Sequence, residues 1–275
     1  MEQQLIDWDD AFDNSGYVAG SDLLADKWSG QAASFRQNMS RRGLAELDLK
    51  YGNKPRNHLD LFRPDCPCKG LFLFVHGGYW HLLDKSFWSH LAAGMLSHGY
   101  AVAIPSYSLA PEVRISQIGQ EIAAAITHAG SIITGPIRLA GHSAGGHLVA
   151  RMATKNGPLP STMQSRMARL VPMSGIYDLR PLLLTKMNET LLLTKEEAQA
   201  ESPALHQPQP DIPVTFWVGA EERPEFLRQN RLICENWNLH NSHCRSRYED
   251  GENHFSLVES LADPQSDLVG EILRD

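Results

Sequence analysis

The stretch around Ser143 constrains the fold of this chain more than any other part of the sequence. Ser143 is the centre of a G-x-S-x-G pattern with Gly141 and Gly145. An apolar run at 136–140 precedes the pattern, and a helix-compatible run follows it, so a strand, a tight turn and a helix are predicted. The glycines permit a strained turn that presents the serine hydroxyl at a helix N-terminus, where developing negative charge is stabilised. An ordinary serine in a Gly-rich turn is the alternative.

Length and composition predict one large domain. The chain has 275 residues, 42% of them hydrophobic and 21% charged, which is enough for a sizeable core. The formal net charge is -7, and the only basic pair, Arg41-Arg42, is too short to bind a polyanion. We therefore expect no nucleic-acid partner.

The four cysteines, Cys66, Cys68, Cys234 and Cys244, have neither the spacing of zinc ligands nor a C-x-x-C motif. We expect no metal site, and the chemistry considered below requires no organic cofactor.

The first ten residues have no basic start and no apolar core, so no signal peptide is expected. No segment reaches the length of a membrane span, so we expect a cytoplasmic protein without a membrane partner. The oligomeric state stays open.

Hydrophobic periodicity predicts how strands and helices follow one another. Alternating patterns predict two antiparallel strands at 44–51 and 58–62, joined by a turn. Further strands, separated mostly by helices, are predicted at 70–75, 100–104, 136–140, 170–173, 212–218 and 244–248. The pattern predicts an α/β fold with a mostly parallel, doubly wound sheet of about eight strands. In such sheets the ligand site lies at the carboxyl ends of the strands.

Two segments lie outside this alternation. Residues 1–40 form a leader that is rich in large apolar residues, with a helix predicted over about 21–39. This leader either braces the core or caps the mouth of the active site. Residues 174–210 are read as an insertion on the strand-end side, helical over about 185–200, and are expected to form a second rim of the active-site mouth. The predicted division is therefore a leader followed by a catalytic domain at 41–275.

The predicted strand at 70–75 leads directly into two consecutive glycines. The backbone N–H groups of Gly77 and Gly78, with that of Ala144, are expected to form an oxyanion hole. A plain Gly-rich turn is the alternative, but it does not account for the occurrence of this segment together with the Ser143 pattern.

The candidate general base lies in the polar loop after the last predicted strand. His254 belongs to this loop. His240 and His243 compete with it, but one precedes that strand and the other starts it, so neither lies at its carboxyl end.

Three glutamates follow the predicted strand at 212–218 and are candidates for the acid that orients the base. They are Glu221, Glu222 and Glu225. The order serine, acid, histidine along the chain is the order expected for this fold. Position alone does not choose between them, and for each one a solvated surface glutamate is the alternative.

Several segments resemble the serine-dependent kynurenine formamidases, which belong to the esterase branch of the α/β-hydrolase fold. The resemblance covers roughly residues 44–260. The matching segments are His76-Gly-Gly-Tyr-Trp80, Gly141-His-Ser-Ala-Gly-Gly-His-Leu148 and Pro224-Glu-Phe226. The Ser106-Tyr-Ser-Leu-Ala-Pro111 segment is similar to the Y-R-L-A-P segment of hormone-sensitive-lipase-like esterases.

The same resemblance implies which glutamate is the acid. In the formamidases an aspartate directly before S-P-E-F has this role, which places Glu222 at the corresponding position. The sequence departs from the pattern there, with Glu for Asp and Arg223 for Ser. Glutamate is an accepted acid in this fold, so the departure bears on the substrate more than on the triad.

These observations predict a serine hydrolase that forms an acyl-enzyme on Ser143, with His254 as base and Glu222 as acid. Tyr79 and Trp80 are expected to wall the substrate pocket, with core packing as the alternative. A small carboxylic ester or an aryl formamide is the expected substrate. A general carboxylesterase or thioesterase is the alternative. A non-catalytic small-molecule binder is less expected, because no member of the triad is missing.

Overall fold

A single eight-stranded sheet organises the part of the chain that the computed structural model describes, residues 6–240 and 244–275. The strands are β1 Ala45–Lys50, β2 His58–Phe62, β3 Gly70–Val75, β4 Tyr100–Pro105, β5 Ile137–His142, β6 Met167–Met173, β7 Thr215–Gly219 and β8 Arg245–Glu249. Their order is β1-β2-β4-β3-β5-β6-β7-β8. The pairs β1·β2 and β2·β4 are antiparallel and the other pairs are parallel, which confirms the predicted fold class.

The central strands are buried on both faces. All residues of β3, β4 and β5 are buried, as expected of parallel strands covered by helices on each side. Because side chains alternate along a strand, Leu71 and Leu73 enter one hydrophobic core while Phe72 and Phe74 enter the other.

Ten α-helices surround the sheet in the described residues. They are α1 Trp8–Phe12, α2 Leu24–Arg41, α3 Ala93–Ser97, α4 Ile115–Ile132, α5 Ala144–Met152, α6 Ser161–Gln164, α7 Asn188–Leu191, α8 Lys195–Ala200, α9 Pro224–Asn238 and α10 Asp267–Leu273. Helices α1, α4, α5 and α9 contribute to one core, and α2, α3 and α10 contribute to the other. The leader therefore packs on both faces, with Phe12 on one side and Trp28 on the other.

The predicted continuous helix at 185–200 is wrong. Two short helices, α7 and α8, occupy this stretch. Leu192 takes a left-handed conformation (φ 54°), which ends α7 because a residue with positive φ cannot continue a right-handed helix. Thr194 then starts α8 anew, because its hydroxyl accepts a hydrogen bond from the Glu197 N–H at 3.1 Å.

Side chains of α9 hold the 174–210 segment against the rest of the fold. The Gln229 amide oxygen accepts hydrogen bonds from the Tyr177 and Asp178 N–H groups at 2.9 and 2.8 Å. The Trp237 indole donates to the Pro203 carbonyl at 3.0 Å. This segment is therefore fixed on the side of the sheet that α9 covers.

Candidate active site

Ser143 lies in a strained turn between β5 and α5. Its backbone has φ 57° and ψ -119°, a conformation that non-glycine residues adopt only where the surroundings enforce it. A side chain at Gly145 would place its Cβ 2.0 Å from the Val75 carbonyl oxygen, so only glycine fits there. The Ser143 N–H donates to the Met173 carbonyl at 2.9 Å, which ties the turn to β6.

His254 and Glu222 form a buried hydrogen-bonded pair. The His254 Nδ1 atom lies 2.7 Å from Glu222 Oε2, and the two residues are only 2% and 6% exposed. Since a carboxylate only accepts hydrogen bonds, the neutral His254 imidazole carries its proton on Nδ1 and its lone pair on Nε2. Ser143 and His254 line the same cavity. The structure thus brings Ser143, His254 and Glu222 to one end of the sheet.

The other candidate bases and acids lie elsewhere. Glu221 is exposed, and Glu225 is paired with Arg228 at 2.7 Å. His240 is exposed beyond the end of α9, and His243 lies outside the described residues. Within the part of the chain that the structure describes, Glu222 is therefore the only one of the three glutamates that contacts His254.

Ser174, a residue that the sequence analysis missed, contacts the second carboxylate oxygen of Glu222. Its hydroxyl and the Gly219 N–H, at 2.9 Å, both donate to Glu222 Oε1. These bonds fix the carboxylate plane so that Oε2 faces His254. The signal was present in the sequence, because Ser174 directly follows β6, at the sheet edge where the other site residues lie.

His142 is the second missed residue. Its Nε2–H donates to the His254 main-chain carbonyl at 2.7 Å, and the two imidazole rings lie 4.6 Å apart. Burial lowers the pKa of His142 well below its ordinary value, so this ring is neutral at physiological pH. His142 therefore connects the serine turn to the histidine loop.

The two glycines after β3 line the same cavity as Ser143. Neither the Gly77 N–H nor the Gly78 N–H has an acceptor among the described residues. Gly78 has φ 110°, and a Cβ there would lie 2.3 Å from the Leu82 carbonyl oxygen. Ala144 is the first residue of α5, so its N–H has no acceptor within the helix.

His76 and Tyr107 stabilise the backbone of this glycine loop. Their rings stack with centroids 4.3 Å apart, and the Tyr107 hydroxyl donates to the His76 carbonyl at 2.9 Å. Full burial lowers the pKa of His76 to about 4, so the ring stays neutral in the core. The glycine backbone is thus held in place by neutral groups.

Tyr79 and Trp80 occupy different environments. Tyr79 lines the cavity beside Ser143, and its hydroxyl donates to the Phe12 carbonyl of the leader at 2.9 Å. Burial raises the pKa of Tyr79 to about 12. Trp80, by contrast, is fully buried and does not line that cavity. Its indole donates to His147 Nδ1 at 3.3 Å, so the structure places Trp80 in the core and departs from the expected pocket wall.

The cavity above Ser143 has a volume of about 170 Å³, and we name it the apolar chamber. No Lys, Arg, Asp or Glu side chain is among its lining residues. Its walls are Ser15, Ser21, Ala25, Trp28, Gly77, Gly78, Tyr79, Leu82, Leu83, Trp88, His142, Ser143, His254 and Phe255. The leader supplies four of these residues and the 174–210 segment supplies none, so that segment does not form the expected second rim.

Two further findings concern residues 6–240 and 244–275. No group of three or more His, Cys, Asp or Glu side chains there is arranged to hold a metal ion. No helix among these residues is both long enough and apolar enough to span a bilayer.

The fold and this site define a class of protein. A sequence model of the α/β-hydrolase fold family matches residues 72–255, which is more than half of the chain. The chain therefore belongs to the α/β-hydrolase fold family.

Within this family the chain belongs with the kynurenine formamidase group. It is 32% identical over 252 residues to the kynurenine formamidase of Salmo salar, covering 85% of this chain and 83% of that protein. It is 31% identical over 241 residues to that of Danio rerio, with coverages of 83% and 80%. These relatives and the fold support a hydrolase.

Solved structures show the same architecture. A candidate thioesterase from Silicibacter sp. TM1040 is 47% identical, with a TM-score of 0.91 over 98% of this chain and 100% of that chain. The apo form of Thermogutta terrifontis esterase 2 is 18% identical, with a TM-score of 0.65 over 83% of this chain and 95% of that chain. The second similarity concerns the fold alone.

Proposed function

We propose that this protein is a serine hydrolase that cleaves small carboxylic esters or aryl formamides through an acyl-enzyme on Ser143. The observation that carries the proposal is the His254–Glu222 pair, 2.7 Å apart and buried beside a serine in a strained turn. Identity of about 30% to two kynurenine formamidases supports the aryl formamide. The candidate thioesterase at 47% identity supports a thioester as the second candidate substrate.

The acylation step uses the free lone pair of His254 Nε2. This atom takes the hydroxyl proton of Ser143 while the serine oxygen forms a bond to the substrate carbonyl carbon. Glu222 keeps the imidazole in the required tautomer and stabilises the imidazolium that forms. The carbonyl oxygen becomes an oxyanion, which accepts hydrogen bonds from the N–H groups of Gly77, Gly78 and Ala144.

Collapse of the tetrahedral intermediate breaks the bond between the carbonyl carbon and the leaving heteroatom. His254 gives its proton to that heteroatom, so the leaving group departs as a neutral alcohol, thiol or amine. Water then attacks the acyl-enzyme with His254 again as base, and Ser143 recovers its proton when the carboxylic acid is released.

The leader is proposed to act as a cap. Ser15, Ser21, Ala25 and Trp28 form part of the wall of the apolar chamber, which is small and uncharged. A chamber of this size suits formyl and acetyl groups better than long acyl chains. On this reading the described residues of the 1–40 leader act in substrate selection as well as in core packing.

Parallel turnover assays test the proposal. N-formylkynurenine, 4-nitrophenyl acetate and acetyl-CoA are assayed with the wild-type protein and with Ser143→Ala. We expect turnover of the acetate and the formamide by the wild type only. Loss of a nucleophile costs on the order of 10⁶-fold in rate. A Ser143→Ala variant that is folded and retains more than about a tenth of wild-type turnover would contradict the proposal.

A further inference from the structure

A second cavity shares one wall residue, His254, with the apolar chamber. It has a volume of about 300 Å³, and we name it the polar chamber. Its lining residues are Asn14, Tyr17, Val18, Ala19, Glu221, Glu222, Arg223, Asn253 and His254. His254 is the one residue that lines both chambers.

The two chambers differ in the chemistry of their walls. The apolar chamber holds the nucleophile candidate Ser143 and the free N–H groups of Gly77 and Gly78, without a charged side chain. The polar chamber lacks all three of these residues but contains charged and amide side chains. An acyl group bonded to Ser143 must therefore sit in the apolar chamber.

Arg223 does not present a free positive charge to the polar chamber. Its guanidinium lies 3.5 Å from the centroid of the Tyr17 ring and forms an ion pair with Asp10. Both partners belong to the leader. Because Asp10 pairs with the guanidinium, Arg223 fastens the leader to the loop that carries Glu222. The buried Nε–H of Arg223 has no acceptor among the described residues.

Glu221 supplies the unpaired charge of this chamber. Its side chain is exposed and forms no ion pair among the described residues, whereas Glu222 is engaged by His254. Asn14, also in the wall, is 2% exposed, and its side chain is hydrogen-bonded to Tyr79. The wall therefore offers a negative charge and the buried guanidinium N–H as a hydrogen-bond donor, which suits a polar group that is not anionic.

We propose that the polar chamber receives the leaving group and that Glu221 selects against leaving groups with a negative charge. This inference rests on the proposed function, because His254, which lines both chambers, gives its proton to the leaving heteroatom. The bond that breaks joins a carbonyl carbon in the apolar chamber to a heteroatom at the mouth of the polar chamber. The preferred substrate class is then a small neutral acyl group on a polar, neutral or cationic leaving group. Anionic carriers such as coenzyme A are disfavoured.

A set of aryl acetates tests this assignment. The acyl group is constant, and the phenyl ring carries a meta trimethylammonium group, no charge, or a meta sulfonate. The measured quantity is kcat/KM for each ester with the wild type, Glu221→Gln, Glu221→Lys and the control Glu235→Gln. Glu235 is an exposed residue of α9 that lines neither chamber, so its substitution changes the net charge equally.

We expect the ratio of kcat/KM for the cationic ester to that for the anionic ester to fall by about threefold or more in Glu221→Gln. The order of the two esters should reverse in Glu221→Lys, and added salt should weaken both effects. The Glu235→Gln ratio should equal that of the wild type.

Three results would overturn the inference: an unchanged cation-to-anion ratio in both Glu221 variants, an equal change in Glu235→Gln, or equal kcat/KM values for all three esters with the wild type. Failure of the proposed function is distinguishable from failure of this inference, because none of the three aryl acetates would then be hydrolysed by the wild type. A uniform rate for all three esters would refute only the assignment of the polar chamber.

Discussion

His142 donates a hydrogen bond from Nε2 to the main-chain carbonyl of His254 at 2.7 Å, although 112 positions separate the two residues in the chain. The bond fixes the backbone of the histidine loop relative to the turn that holds Ser143. The His254 ring is further enclosed by Phe226, with centroids 4.7 Å apart, and Phe255, at 5.3 Å. The orientation of the candidate base is therefore set by packing as well as by Glu222.

The first prediction concerns the acid. Glu222→Gln should lower kcat by about 10³-fold to 10⁴-fold, because an amide can stabilise the wrong tautomer of His254 and cannot stabilise its imidazolium. Glu221→Gln is the matched control and should retain turnover of a neutral ester, since its exposed side chain does not contact His254. If the control loses activity while Glu222→Gln keeps it, the assignment of the acid is wrong.

The second prediction concerns the oxyanion hole. Gly78→Ala should lower kcat by about 10²-fold or more, because its Cβ would lie 2.3 Å from the Leu82 carbonyl oxygen and the loop would have to shift. Gly20→Ala is a suitable control, since Gly20 also has positive φ, at 73°, but a Cβ there meets no atom within 4 Å. Steady-state kinetics and thermal unfolding of both variants separate activity from stability. Equal kcat in both variants would argue against a role for the Gly78 N–H.

The third prediction concerns acyl length. Leu82 lines the apolar chamber and is 50% exposed, so Leu82→Ala should enlarge the chamber at little cost in stability. We expect kcat/KM for 4-nitrophenyl butyrate relative to the acetate to rise by about fivefold, since two more methylenes can then be accommodated. Leu184→Ala is the control, because Leu184 is 70% exposed and does not line the chamber. An identical chain-length profile in all three proteins would show that this wall does not limit the acyl group.

The fourth prediction concerns stability in acid. The two nitrogens of His147 are both engaged: Nδ1 accepts from the Trp80 indole at 3.3 Å, and Nε2 donates to the Glu201 carbonyl at 2.7 Å. Burial lowers the pKa of His147 to about 3, because the charged ring would lose its hydration, and the positive charge of Arg151 lowers it further.

The sign of the pH effect follows from proton uptake. Between about pH 6.5 and pH 3, the unfolded chain binds a proton at His147 that the folded protein does not bind, so stability falls as the pH falls. His147→Gln should reduce the slope of the unfolding free energy against pH by about 1.4 kcal/mol per pH unit in this range. Urea unfolding at pH 7.5, 6.0 and 5.0 measures the slope. A slope identical to that of the wild type would contradict the prediction.

Much of the fold was predictable because the spacing of apolar residues in the sequence indicates which face of each strand or helix is buried. The eight strands follow from apolar runs and alternation, and the convergence of strand ends predicts that Ser143, Glu222 and His254 lie close together. The choice of Glu222 over Glu221 depended on resemblance, because neighbouring residues share the same position relative to a strand.

Other features could not be read from the sequence. The hydrogen bonds of Ser174 and His142 join loops that are far apart in the chain, and no periodic pattern marks such pairs. The place of Trp80 depends on backbone conformation, since Tyr79 and Trp80 have φ values of 49° and 60°. This left-handed stretch turns the indole into the core while Tyr79 lines the chamber.

Trapping of the acyl-enzyme tests the central claim most directly. The wild-type protein is mixed with excess 4-nitrophenyl acetate, quenched in acid within the first turnover, digested and mapped by mass spectrometry. We predict the added mass of one acetyl group on the peptide that contains Ser143, and no such adduct in Ser143→Ala. Rapid turnover by the wild type with the acetyl group on a different residue, or with the same adduct in Ser143→Ala, would contradict the account.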